Sequence, residues 1–81
     1  MNSKSSSQPR TKLSDKEYLS CMDEALAFLK VHASIRNREL RGVTGINYDQ
    51  AIAFFNRAIS EGRLSRMGHS SGTHYVLPLG V

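Results

Sequence analysis

The chain has 81 residues, of which 40% are apolar and 22% are charged. This composition predicts one small globular domain and excludes collagen-like and wholly disordered proteins. No apolar run approaches the roughly 20 residues of a membrane helix, and the N-terminus lacks the apolar segment of a secretory signal. Cys21 is the sole cysteine, which excludes an internal disulfide framework and is consistent with a reducing compartment. We therefore expect a cytoplasmic protein without a membrane partner.

The net charge of +4 is distributed unevenly along the chain. Residues 1–13 carry a net +3, residues 14–33 a net −2 and residues 34–81 a net +3. This distribution predicts a positive potential on one side of the domain, which suits a polyanionic partner. A net charge of this size is also ordinary for a solvated surface, so charge alone leaves both interpretations open.

The first predicted elements are a tail and a long helix. Residues 1–13 are basic and without apolar periodicity, which predicts a disordered tail before a folded domain at 14–81. Ser14 and Glu17 form the S-x-x-E pattern of a helix N-terminus. Apolar residues then recur at helical spacing as far as about 30–32. They are Tyr18, Met22, Ala25, Leu26 and Leu29, with Leu19, Cys21 and Phe28 on the flanks. The width of this face favours deep burial, with a dimer surface as the alternative.

The middle of the chain predicts a short strand at 33–35 and two further helices. Asn37 is a candidate N-cap for a short helix that runs through Arg41 and ends at Gly42. Residues 44–47 then read as a turn. Asn47 and Gln50 form a second capping box, which starts a helix over 48–61. The apolar arc of that helix is predicted to face the core. It comprises Tyr48, Ala51, Ile52, Phe54, Phe55, Ala58 and Ile59.

The last part of the chain predicts a β-hairpin. Residues 63–67 and 73–77 are short and rich in β-prone side chains, and a glycine-bounded loop separates them. Pro78 ends the second strand because it has no amide proton to donate.

The order of these elements resembles the winged helix-turn-helix superfamily. Residues 37–40 correspond to the second helix, 44–47 to the turn, 48–61 to the third helix and 63–77 to the wing. The resemblance covers roughly residues 14–78. It implies an α+β fold, a three-helix winged helix-turn-helix with a C-terminal β-hairpin wing.

The resemblance also implies binding to double-stranded DNA, with the third helix in the major groove and the hairpin on the DNA backbone. The outward residues near the start of that helix would then face bases. These are Asn47, Asp49, Gln50 and Ala53. Backbone contacts are expected from the more distant polar residues. These are Arg38, Asn56, Arg57, Arg63, Arg66, Ser70 and Ser71. Gln50 has an equally good role as a helix cap, and Asp49 would repel phosphates unless it accepts from cytosine.

The implied function is therefore a small DNA-binding protein, a transcriptional or mobile-element regulator. An enzyme is not expected, because the sequence has no phosphate-binding glycine loop and no Ser-His-acid set is indicated. Its three His and one Cys lack metal-ligand spacing, so neither a metal nor a cofactor is predicted. The alternative is a winged-helix adaptor that binds a protein, or a second copy of itself as a homodimer, and never contacts DNA.

Overall fold

The computed structural model describes residues 12–78, so residues 1–11 of the basic tail predicted at 1–13 lie outside this range. Within it, three helices precede a two-stranded antiparallel hairpin. The elements are α1 (Asp15–Val31), α2 (Asn37–Thr44), α3 (Tyr48–Ser60), β1 (Ser65–Met67), a 3-10 turn (Ser70–Gly72) and β2 (His74–Val76). The predicted α+β layout, a three-helix winged helix with a C-terminal hairpin, is confirmed. None of the described helices is long and apolar enough to cross a membrane.

Helix α1 begins where the capping pattern predicts. The Glu17 amide donates to Ser14 Oγ at 3.1 Å, and the Ser14 amide donates to Glu17 Oε1 at 2.9 Å. These two bonds satisfy amides that have no partner within the helix. Of the flanking apolar residues, Cys21 is buried and Phe28 is half-buried, but Leu19 is exposed. The favoured burial of this wide face is therefore wrong for Leu19 and also for Leu26, which is exposed as well.

Helix α2 is longer than its glycine predicts and starts from a different cap. Gly42 lies inside the helix, which continues to Thr44 and ends at Gly45 with a left-handed φ of 83°. The predicted stop at Gly42 was wrong because the Gly45 amide still donates to the Arg41 carbonyl, at 2.9 Å. Arg36, not Asn37, occupies the N-cap position, and its amide donates to Glu39 Oε1 at 2.8 Å.

Helix α3 has the predicted cap, but its buried face is rotated from the prediction. The buried residues are Ala51, Phe54, Phe55 and Ala58. Tyr48 and Ile52, which were predicted to face the core, are exposed. Phe54 and Phe55 are adjacent and have no exposed surface, so the middle of the buried face lies between them. Tyr48 and Ile52 therefore face outward.

The hairpin is attached to the helices through its second strand. β1 pairs with β2 in the register Ser65–Val76, Arg66–Tyr75 and Met67–His74. On the other edge of β2, Ile35 and Tyr75 exchange two backbone hydrogen bonds of 2.9 Å. The short strand predicted at 33–35 is thus present as a single bridge. The Tyr75 ring stacks on Phe55 with centroids 3.7 Å apart, which fixes the hairpin against α3.

The core lies between the three helices and the base of the hairpin. Its largest fully buried side chains are Tyr18, Phe54, Phe55, Ile35, Leu40 and Leu64. Leu13, which the sequence assigned to the tail, packs against this core with part of its surface buried. The packing of the three helices and the hairpin around this core also fixes where their exposed surfaces lie.

Candidate nucleic-acid interface

A groove runs between α2, the outer flank of α3 and the hairpin loop. Its volume is about 480 Å³. Its lining residues are Arg36, Asn37, Arg38, Arg41, Tyr48, Ile52, Asn56, Arg66, Ser70, Ser71, Thr73 and Tyr75. Four of these are arginines and none is acidic. We call this surface the arginine groove.

The arginines of this groove have no carboxylate partners within residues 12–78. All three salt bridges in that range involve Arg57 or Arg63, which lie elsewhere. Within the groove, Arg41 Nε donates to Asn37 Oδ1 at 2.7 Å, and its guanidinium lies 5.6 Å from the centre of the Tyr48 ring. A neutral amide and an aromatic face orient this cation without neutralising it. The groove therefore presents positive charge to solvent.

Helix α3 contributes one row of side chains to the groove. Tyr48, Ile52 and Asn56 are spaced four residues apart, and they follow one flank of the helix from its first turn. Tyr48 is 57% exposed and Ile52 is 38% exposed. This row, rather than the residues predicted to face bases, faces the space between α2 and the hairpin.

The hairpin loop forms the far wall of the groove. Ser70 has a φ of 54° and opens a 3-10 turn, whose Ser70 and Ser71 line the groove beside Arg66. Gly68 has a φ of 72°, and a side chain there would collide with the Gly72 carbonyl. The tight backbone of this loop places both serines in the lining of the groove.

The four residues predicted to face bases do not share one site. Asn47 and Gln50 are engaged in the capping box, with bonds of 2.8 and 3.0 Å, and Gln50 Nε2 also donates to the Lys12 carbonyl. Ala53 lines a second, smaller groove beside Leu13. Asp49 is exposed on the outer surface of α3.

The seven residues predicted to contact the DNA backbone divide into two groups. Five of them line the arginine groove: Arg38, Asn56, Arg66, Ser70 and Ser71. The other two, Arg57 and Arg63, are paired with carboxylates on the opposite flank of α3. Arg57 Nη1 contacts Asp15 at 2.9 Å and Arg57 Nε contacts Glu61 at 2.9 Å, while Arg63 contacts Glu61 at 3.1 Å.

These ion pairs belong to a seam between α1 and α3, which we define by Asp15, Tyr18, Arg57 and Glu61. The Arg57 guanidinium lies 4.0 Å from the centre of the Tyr18 ring, and the Tyr18 hydroxyl donates to Glu61 Oε1 at 2.9 Å. Burial, together with this bond to an anion, raises the pKa of Tyr18 to about 12. Hydrogen bonds from Arg57 and then from Tyr18 lower the pKa of Glu61. The seam ties the start of α1 to the end of α3.

Sequence reasoning missed seven residues of the arginine groove: Arg36, Asn37, Arg41, Tyr48, Ile52, Thr73 and Tyr75. Three arginines within residues 36–41 were a usable signal, because such a cluster is dense for a short helix. The exposure of Tyr48 and Ile52 left no comparable signal, since their spacing matches the core face.

Within residues 12–78, no group of three or more His, Cys, Asp or Glu side chains is arranged to hold a metal ion. No protein-family model, no curated protein and no solved structure matches this chain. The arginine groove, with four arginines that have no carboxylate partner within residues 12–78, is the candidate surface for a ligand.

Proposed function

We propose that this chain binds double-stranded DNA through the arginine groove, with α3 entering the major groove and the hairpin beside the backbone. In this proposal the protein is a transcriptional or mobile-element regulator. The observation that carries the proposal is the cluster of Arg36, Arg38, Arg41 and Arg66, which no carboxylate neutralises within residues 12–78. Unpaired cations on one surface attract a polyanion, because each phosphate they neutralise releases condensed counterions.

The fold favours a duplex over a small anion. A single phosphate needs only one or two cations, whereas these arginines come from α2 and from β1, on either side of the exposed row of α3. An α-helix fits the width of the major groove, and flanking elements then reach the two phosphate strands. Arg38 on one side and Arg66 on the other are the proposed phosphate contacts, with Ser70 and Ser71 adding neutral hydrogen bonds.

The contacts proposed for α3 differ from those implied by the resemblance. Tyr48, Ile52 and Asn56 take the base-facing positions, because they are the α3 residues that line the arginine groove. Gln50 keeps its role as a cap, and Arg57 keeps its carboxylate partners. Asp49 lies on the exposed surface of α3 and is assigned no contact in this proposal.

The test is a salt titration of binding to duplex DNA of random sequence, with matched arginine variants. For the unaltered chain we expect log affinity to fall linearly with log salt. Arg38→Ala and Arg66→Ala should each flatten that slope by about one unit, since each removes one phosphate contact. Arg63→Ala removes the same charge outside the groove and is the control; it should leave the slope unchanged.

Two results would contradict the proposal. If the chain shows no salt-dependent binding to duplex, it does not bind DNA through unpaired cations. If Arg63→Ala flattens the slope as much as Arg38→Ala does, net charge rather than the groove controls binding.

One observation favours the second candidate, a protein-binding adaptor. A largely apolar groove of about 630 Å³ lies between the end of α1 and the outer side of the hairpin. Met67 and Leu77, which line it, are both about half exposed. Exposed apolar surface of this kind is typical of a contact with a protein or a second copy of the chain. Sedimentation at several concentrations, with Met67→Asp as the variant, tests the homodimer; mass should fall with the variant if the dimer uses this groove.

A further inference from the structure

Two large apolar side chains lie exposed in the arginine groove. Tyr48 and Ile52 occupy successive turns of α3, and their neighbours across the groove are cationic or polar. Neither residue belongs to the buried face of α3, which at this end of the helix consists of Ala51, Phe54 and Phe55. The Arg41 guanidinium, 5.6 Å from the centre of the Tyr48 ring, accounts for one face of that ring, whereas the exposure of Ile52 has no explanation in the packing of the domain.

Phosphate binding explains only the hydroxyl group of Tyr48, because that hydroxyl can donate to a phosphate oxygen whereas the Tyr48 ring and the Ile52 side chain cannot. A phosphate gains nothing from an isoleucine, and arginines and hydroxyls are already available for that purpose. On the edges of the bases in the major groove, the apolar group is the 5-methyl group of thymine. A methyl group at the same ring position is also present in 5-methylcytosine. An exposed apolar row on a helix in the major groove of DNA would therefore contact this methyl group.

We propose that Tyr48 and Ile52 form a methyl-reading row that selects pyrimidines carrying a 5-methyl group, thymine above all. This inference rests on the proposed binding of duplex DNA through the arginine groove. The arginines supply affinity for any duplex, and the row supplies a preference among sequences. The two residues lie four apart, so they contact neighbouring positions on the base edges rather than one methyl group.

The experiment compares an alternating A·T duplex with the same duplex in which uracil replaces thymine. Uracil pairs as thymine does and lacks only the methyl group. We expect the thymine duplex to bind more tightly, by about fourfold for each methyl group contacted, which is the factor expected from burying one group of that size. Methylating the cytosines of an alternating G·C duplex at the same position should tighten binding in the same way.

Three variants assign the effect to the row. Ile52→Ala and Tyr48→Ala should each lower the ratio of thymine to uracil affinity. Leu19→Ala removes an apolar side chain from α1 whose exposure, 51%, lies between those of Tyr48 and Ile52, and it should leave the ratio unchanged. Thermal midpoints should stay close to that of the parent for Tyr48→Ala and Leu19→Ala, whose residues are more than half exposed, and should fall modestly for Ile52→Ala, whose residue is 38% exposed.

The outcomes separate this inference from the proposed function. Equal, salt-dependent affinity for the thymine and uracil duplexes overturns the methyl-reading row and leaves DNA binding intact. A thymine preference that survives both Ile52→Ala and Tyr48→Ala also overturns the row, because the methyl groups would then be contacted by other residues. Absence of salt-dependent binding to every duplex overturns the row and the proposed function together.

Discussion

Arginine occurs in two contrasting settings on opposite flanks of α3. In the seam, Arg57 contacts two carboxylates at 2.9 Å and covers the Tyr18 ring. In the arginine groove, Arg38 and Arg66 contact no carboxylate within residues 12–78. The same residue type thus stabilises the fold on one flank and remains available for a ligand on the other. A count of basic residues along α3 and the hairpin cannot separate the two roles.

The difference shows what makes a basic surface functional. Paired cations contribute little attraction at a distance, because their carboxylate partners cancel the field. Unpaired cations repel one another, so their grouping lowers the stability of the free domain slightly. A cluster of them that persists around a groove is therefore better explained by binding than by folding. Substitutions in each region test whether the seam acts only on stability and the groove only on binding.

The largest effect is expected from Phe55→Ala, which acts beneath both regions. Phe55 is fully buried, stacks on Tyr75 of the groove and contacts Phe54, which in turn contacts Tyr18 of the seam. Loss of the ring should lower the free energy of unfolding by about 3–5 kcal/mol, measured by denaturant titration. Phe28→Ala, at a half-buried site on α1, should lower it by much less. Similar losses from the two variants would mean that the core is not centred on Phe55.

A smaller effect is expected when the seam loses its buried hydroxyl. Tyr18→Phe removes the bond to Glu61 and should lower the free energy of unfolding by about 1 kcal/mol. The pKa of Tyr18 is raised to about 12 in the folded chain, so folding favours the neutral phenol. The resulting stability is complete below the usual tyrosine pKa of about 10 and is lost as pH rises toward the folded value.

The matching measurement is the thermal midpoint as a function of alkaline pH. The parent chain should lose stability as pH rises above about 10, and Tyr18→Phe should lose less over the same range. Tyr48→Phe, which alters an exposed phenol, is the matched control and should follow the parent. A Tyr18→Phe profile parallel to that of the parent would show that this hydroxyl does not titrate with folding.

The same substitution on each flank of α3 should have different effects. Arg57→Ala should lower the thermal midpoint and leave the salt slope of DNA binding unchanged, since its charge is already paired. Arg38→Ala should leave the midpoint unchanged and reduce DNA affinity at low salt by several-fold, as expected from about one lost phosphate contact. If both variants alter both quantities, seam and groove are one electrostatic unit and the distinction drawn between them is wrong.

The smallest effect is expected at Gln50, where two roles compete. Its side chain accepts from the Asn47 amide at 3.0 Å and donates to the Lys12 carbonyl at 3.2 Å. Gln50→Ala should therefore lower the free energy of unfolding by about 0.5–1 kcal/mol, as for the loss of a capping residue. The preference among DNA sequences should not change. A relaxed preference at one base position with unaltered stability would instead make Gln50 a base-reading residue.

The sequence by itself determined the order of the elements, because their signals are local. The capping boxes at Ser14 and Asn47 and the glycine-bounded hairpin loop need only a few neighbouring residues, and all three are present as predicted. The end of α2 was misplaced for the same reason. Gly42 carries a local stop signal, yet the amide of Gly45 still had a helical carbonyl to bond.

Which side of α3 faces the core, and which arginines lack a carboxylate partner within residues 12–78, depends on the tertiary structure. Helical spacing places Tyr48 and Ile52 with the phenylalanines on one arc, and only packing against Tyr18 and Tyr75 rotates that arc. The pairing of Arg57 with Asp15 spans 42 positions of sequence, so no local pattern could predict it. Periodicity fixes the relative angles of side chains around a helix axis, but the helix's rotation in the domain is set by contacts between distant residues.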